Sequence, residues 1–231
     1  MILHLPHSQT TMPVAYPDLP QAHLNRHTDW FTDSLFEHPG AERFVFGYSR
    51  FYADMERLAD DPLEEQGMGI FYTQTPWGVT YRQAIPDEVA KVRAIYNDWH
   101  TKLKKACLAQ LAQQGRCVLV DGHSFSHHQV TDPEGRLPDI NIGTNAKTTS
   151  KGLEDRVVEA FKEAGYQVAV NYPYAYSMEP TQEKGFETIM IEINKRCYLT
   201  EDFQPSAGYS KLKSTIDEVL EQIAAYELES K

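Results

Sequence analysis

Short apolar runs of strand length alternate along this chain with longer helical patterns, and that alternation restricts the fold more than any other feature. Ile2–Leu5, Phe44–Gly47, Cys117–Val120, Gln167–Val170 and Thr188–Ile193 read as strands. Thr28–Phe36, Pro86–Gln114, Ser150–Ala164 and Tyr209–Leu228 read as helices. Local chemistry sets the helix boundaries. Pro86 stands where a missing N–H does no harm, Gly115 and Gly165 stand where helices stop, and Thr28 is a candidate N-cap. Strands alternating with helices predict an α/β fold with a mainly parallel sheet flanked by helices. The segment from Arg50 to Gly69 reads as a polar excursion closed by glycines. No stretch is a linker rich in Pro, Gly and Ser, so residues 1–231 read as a single domain.

Charge narrows the partners. The formal net charge is −11 over 231 residues, which argues against non-specific binding to nucleic acid or to an anionic membrane. An anionic small molecule remains a suitable substrate if Arg or Lys side chains meet it locally. No apolar run approaches membrane-spanning length, and "MILHLPHS" lacks the basic region and long apolar stretch of a secretory leader. The 3 cysteines, Cys107, Cys117 and Cys197, fit no zinc or redox spacing. They read as reduced thiols of a cytoplasmic protein.

Several strands run directly into residues with chemical capacity: His7, Ser49 with Arg50, His123, and Asn171. In open α/β sheets ligands bind outside the carboxyl ends of the strands, so parallel strands would bring these residues together. Asp121, Gly122 and His123 would form the floor, with Gly122 letting backbone approach a ligand. His7 and His123 with a nearby acid resemble a two-imidazole, one-carboxylate metal site, the ligand set of hydrolytic zinc. His127 and His128 read as exposed loop residues, and His4 either borders the site or simply packs. A serine nucleophile is disfavoured, because Ser124 lacks the G-x-S-x-G elbow. In "TIMIEI", Ile189, Ile191 and Ile193 share one face while Met190, Glu192 and Asn194 share the other. A carboxylate there is costly unless paired, so Glu192 is either salt-bridged or a general base beside a metal. Arg50 and Arg57 would share a helix face if their segment were helical, and could fork onto substrate carboxylates. The alternative for each is local pairing with an acid such as Asp54. Asn171 could hold a substrate carboxylate or amide, or be a turn residue before Tyr172 and Pro173.

The ordered blocks "LPHS", "HTDWFTDSLF", "YSRFYADMERLADDPLEEQGMGIFYTQT", "VDGHSFS", "PDINIGT", "NYPYAYS" and "IMIEINKRCYL" resemble the N-formylglutamate amidohydrolases over roughly residues 2 to 200. That resemblance implies a zinc carboxypeptidase-like α/β core with a mixed sheet. It also implies hydrolysis of N-formyl-L-glutamate to formate and L-glutamate, late in histidine degradation. Carried over by position, His7 and His123 look like the zinc imidazoles and Glu192 like the general base. The carboxylate ligand falls in "HTDWFTD", with Asp29 favoured over Asp33. Arg50, Arg57 and Asn171 would meet the substrate. Two other readings stay open: a zinc hydrolase of another N-acyl amino acid or of peptides, and a non-catalytic protein that binds acidic metabolites.

Overall fold

A computed structural model describes residues 1–128, 130 and 135–229. Six strands form one sheet: β1 (Ile2–Leu5), β2 (Glu42–Val45), β3 (Cys117–Phe125), β4 (Ile140–Gly143), β5 (Val168–Val170) and β6 (Phe186–Asn194). The spatial order is β2-β1-β3-β6-β4-β5. β4 runs antiparallel to β6 and every other neighbour is parallel, so the sheet is mixed and mostly parallel, as expected. Among the described residues five α-helices accompany it: α1 (Gln21–His27), α2 (Thr32–Leu35), α3 (Pro86–Gln114), α4 (Lys151–Glu163) and α5 (Tyr209–Leu228).

The long helices begin and end where the sequence dictates. Pro86 opens α3, and Gly115 closes it with φ 77, a left-handed conformation that glycine adopts without strain. Ser150 caps α4 by accepting from the Leu153 N–H. Period-2 alternation sorts the two sheet faces. Leu3, Leu5, Val118, Val120, Ile189, Ile191 and Ile193 pack with α4 and α5 side chains such as Phe161, Ile216 and Leu220. Ile2, Cys117, Leu119 and Phe186 pack against Leu103 and Cys107 of α3. Every residue of β3 and of β6 is buried, as central parallel strands require. The edge strand β2 carries exposed Glu42 and Arg43, charges that blunt an unpaired edge.

Four expectations are corrected. The apolar run at Cys117 continues as strand through Asp121, Gly122 and His123 to Phe125, so these residues lie within β3 and not in a turn after it. Thr28–Phe36 is not one helix: Thr28 is the C-cap of α1, and the chain re-enters helix only at Thr32, after Phe31 at φ 61. β4 was not foreseen at all. The excursion from Arg50 to Gly69 is not merely polar, since Phe51, Tyr52, Ala53 and Met55 are buried within it and Ile70, Phe71 and Tyr72 directly after it. Several of these pack on Val92 and Tyr96 of α3, which fixes the excursion over the carboxyl ends of the strands.

Candidate metal centre and active site

His4, Asp121, His123, Met190 and Glu192 project from the α3 face of the sheet, by the same alternation that sends Leu3, Val120 and Ile191 to the other. β3 and β6 pair so that His123 lies opposite Glu192. His7 follows β1 immediately, and its carbonyl accepts from the Asp29 N–H at 3.0 Å, which ties the α1–α2 junction to the strand end. The result is a buried cluster of His7, Asp29 and His123 whose donor atoms lie within 4.8 Å of one another. Asp29 Oδ2 is 3.6 Å from His7 Nδ1 and 3.3 Å from His123 Nδ1. The two imidazole rings are 5.1 Å apart, centre to centre.

The outer nitrogens are already committed. His7 Nε2 lies 2.8 Å from Asp54 Oδ1, and His123 Nε2 lies 2.9 Å from Asp121 Oδ1. A carboxylate behind each imidazole sets its orientation and strengthens the opposite nitrogen as a ligand. Both histidines therefore turn Nδ1 toward Asp29. His7 Nδ1 and Asp29 Oδ1 are buried with no hydrogen-bond partner among the described residues. Two buried imidazoles whose Nδ1 atoms turn toward one carboxylate, His7 Nδ1 having no hydrogen-bond partner, form a suitable cation site, and nitrogen with oxygen is a donor set for zinc. The residues present fit a metal. Asp33 stands outside this set and accepts from Gln9 Nε2 at 3.0 Å.

The electrostatics follow from this crowding. Burial pushes the Asp29 carboxyl up, but the neighbouring His123 and His7 outweigh it and hold the group well below the usual range. Asp54 is also held well below its usual value, because the nearby Arg50 and His7 overcome the effect of burial. Burial lowers His123, yet Glu56 and Asp121 reverse the effect and lift it well above 6.5. Glu192 lacks such support. Burial raises it to about 8 against the pull of His123, and its Oε2 has no hydrogen-bond partner among the described residues. Lys195, buried beside Asp29 at 3.9 Å, is lowered to about 8 by burial.

A cavity of about 620 Å³ opens beside the cluster, lined among others by Asp29, Arg50, Glu56, Arg57, His123 and Glu192. Arg50 and Arg57 both face this cavity, but not through helical spacing: they lie in turns and bends, and both converge on Asp54. Arg50 donates to Asp54 Oδ2 through Nε at 3.2 Å and Nη2 at 2.9 Å. Arg57 is held by the Tyr72 hydroxyl at 2.7 Å. Asn171 does not join them. It is exposed at φ 56 and bonds Thr144 through both ends of its amide, so the turn reading replaces the substrate-binding one. Gly122 also has a different task from the one expected. A Cβ there would come within 2.7 Å of Leu5 and 2.9 Å of Phe36, so glycine makes room for core side chains and not for a ligand.

Sequence reading missed Glu56. Its carboxylate lies 3.2 Å from His123 Nε2 and 3.6 Å from His7 Nδ1. Its position in "DMER", between two residues bonded to the site, was the only available signal. His127 and His128 are exposed, as expected.

A mostly parallel sheet that presents His123 and Glu192 on one face, with His7 and Asp29 brought beside them into a group able to hold a metal, has the build of a metal-assisted hydrolase. The model of the N-formylglutamate amidohydrolase family matches residues 1–199, and the chain belongs to that family. It is therefore an amidohydrolase. Among curated proteins it is 26% identical to the N-formylglutamate deformylase of Pseudomonas aeruginosa, covering 98% of this chain and 93% of that one. It is 24% identical to the N-formylglutamate deformylase of Pseudomonas putida, over 96% and 90% of the two chains. The crystal structure of N-formylglutamate amidohydrolase from Ralstonia eutropha JMP134 superposes with a TM-score of 0.85 at 23% identity, covering 97% of this chain and 92% of that one. The fold is thus shared throughout. Among the described residues no helix is long and apolar enough to cross a membrane.

Proposed function

We propose that the chain hydrolyses the formyl amide of N-formyl-L-glutamate to formate and L-glutamate, with zinc held by His7, Asp29 and His123. The observation that carries this reading is the convergence of the Nδ1 atoms of His7 and His123 on Asp29, with Glu192 opposite His123 in the sheet. The names of the Pseudomonas relatives supply the substrate. In this reading the protein works in the cytoplasm, late in histidine degradation.

Zinc, when bound, would polarise the formyl oxygen and make water acidic enough to deprotonate near pH 7. Glu192 takes the proton of the attacking water on its buried carboxylate. The water oxygen then joins the formyl carbon, the carbon–nitrogen bond breaks, and Glu192 delivers the proton to the leaving nitrogen. Burial that raises the proton affinity of the carboxylate makes it a stronger base for the first step. Arg57 and Arg50 orient the substrate through its carboxylates, Arg57 the more freely because only Arg50 donates to Asp54 through two nitrogens. Attack by water is direct, with no acyl-enzyme.

Formate release tests the reading. Purified protein loaded with zinc is assayed on N-formylglutamate, N-acetylglutamate, other N-formyl amino acids and short peptides with free carboxyl ends. The highest kcat/KM is expected for N-formylglutamate. A higher value for a peptide, or formate release unaffected by removal of metal, overturns it.

A further inference from the structure

Behind the candidate metal cluster a chain of hydrogen bonds, partly buried at its α3 end and buried beyond it, runs from α3 through β1 to β3. Trp99 Nε1 lies 3.1 Å from His4 Nε2, His4 Nδ1 lies 2.7 Å from Asp121 Oδ1, and that same oxygen lies 2.9 Å from His123 Nε2. His4 and Asp121 are fully buried and sit opposite each other in the β1–β3 pairing. We propose that Trp99 and His4 are positioning residues that act through Asp121 to fix which nitrogen of His123 faces the metal. The inference rests on the metal-binding half of the proposed function and not on its substrate.

The argument is one of donors and acceptors. An indole N–H can only donate, so His4 Nε2 must present a lone pair to Trp99. A protonated His4 would place N–H against N–H there, and so His4 is neutral. Its single proton then sits on Nδ1 and is donated to Asp121. Asp121 Oδ2 accepts from the Met178 N–H at 2.9 Å, so the carboxylate is pinned from two strands and a loop. Held this way, Asp121 takes the Nε2–H of His123. When a cation displaces the second proton of that ring, the lone pair appears on Nδ1, the nitrogen 3.3 Å from Asp29.

His4, Asp121 and His123 also form a group of potential ligands on their own. A metal among them is inconsistent with the bonds already present. Ligand atoms spread tetrahedrally about zinc at about 2.0–2.1 Å lie more than 3 Å from one another. The 2.7 Å from His4 Nδ1 to Asp121 leaves room for a proton and not an ion. The group supports the neighbouring metal centre.

The two imidazoles are thus backed differently. Asp54, behind His7, is bonded to the guanidinium of Arg50, which draws off part of its charge. Asp121, behind His123, is held by the neutral donors of His4 and Met178. Its charge reaches His123 more fully and makes Nδ1 the stronger ligand.

The test uses the full chain, with zinc alone as probe. Imidazole nitrogen shifts are read by NMR on metal-free and zinc-loaded protein, and zinc affinity is read by competition with a chromophoric chelator. Wild-type His4 is expected as the neutral tautomer protonated on Nδ1. His4→Leu should weaken zinc about 10-fold or more, the scale seen when an outer-shell partner is lost. His4→Asn places an amide donor where Nδ1 stood and should restore affinity to within about 3-fold of wild type. Trp99→Phe, which removes the N–H and keeps an aromatic ring, should abolish the single His4 tautomer and weaken zinc by about 3- to 10-fold. It carries the test if His4→Leu does not fold. A wild-type His4 protonated on Nε2, unchanged zinc affinity in Trp99→Phe or in folded His4→Leu, or an Asn variant no better than the Leu one overturns the proposal. Hydrolysis is not read. A protein that passes these measurements yet prefers another N-acyl substrate would overturn the function and leave the inference standing.

Discussion

Replacing Glu192 by Gln separates a catalytic base from a structural ion-pair partner, because the two roles move stability in opposite directions. The carboxyl is buried, its Oε2 has no hydrogen-bond partner, and burial raises it from 4.5 to about 8. No Lys or Arg lies within ion-pair distance of it among the described pairs; the buried Lys195 reaches Asp29 instead. An acid whose affinity for protons is higher folded than unfolded favours the native state below pH 4.5 and loses that contribution as pH rises to about 8. The full interval corresponds to at most about 5 kcal/mol. Metal-free Glu192→Gln should therefore melt with wild type at pH 4.5. At pH 8 it should melt higher, by up to about 20 °C at roughly 2–4 °C per kcal/mol for a chain of this size. Zinc should narrow the gap by balancing the wild-type charge. Turnover of the zinc-loaded variant should fall about 10²-fold or more, with zinc retained. The assay is differential scanning calorimetry on chelator-treated protein at both pH values, with formate release on the same preparation. Had Glu192 balanced a buried cation, the variant would lose about 3–5 kcal/mol. A variant less stable at pH 8 that keeps near-normal turnover per folded molecule would refute the reasoning.

Other consequences are more direct. His123→Ala should lose bound metal and activity while far-UV circular dichroism stays native; full metal content measured by atomic emission would remove His123 from the ligand set. Arg57→Lys should raise KM for N-formylglutamate about 10-fold or more with little change in melting temperature, since a point charge cannot replace a fork. Arg50→Lys should lower stability as well, because Arg50 is fixed to buried Asp54 by two bonds; equal effects of the two variants in both measurements would contradict this division. His100 is lowered to about 4 by burial, so the stability it contributes is complete above pH 6.5 and is lost as pH falls toward about 4. His100→Gln should flatten the melting temperature across that window by the equivalent of at most about 3 kcal/mol, measured against wild type. An unchanged slope between pH 4 and 6.5 would show that another group carries it.

The sequence was informative where local chemistry decides the outcome and silent where distant packing does. Pro86 and Gly115 delimit α3 because each imposes its own backbone geometry, and the observed helix has those ends. β3 and β6 extend beyond their apolar runs because Asp121, His123 and Glu192 occupy interior positions that apolar side chains would normally take. Polar residues end a strand in a sequence pattern. Here β3 continues, since its imidazole and carboxylate satisfy each other at 2.9 Å. The Thr28 helix failed for a related reason: the backbone at Asp29 bonds to His7, and that long-range tie overrides local helix signals. β4 runs against its neighbour β6, and its Ile-Asn-Ile-Gly run, with a central Asn141 and a closing Gly143, has the look of a loop in the sequence.

Strand ends made His7 and His123 legible, because two imidazoles after apolar runs are unusual on any reading. The groups that tune them come from far along the chain. Asp54 is separated from His7 by 47 positions, and Trp99 from His4 by 95. Glu56 reaches both imidazoles only because buried Ala53 and Met55 pack its segment onto α3. Candidate ligands such as His7 and His123 can thus be found from their type and their place after an apolar run. A residue that sets a tautomer or a charge is identified by the atom it faces, and that partner is chosen by the packing of α3 and the Arg50 excursion against the sheet. The candidate ligands are therefore written locally in this chain, while what tunes them is a property of the assembled core.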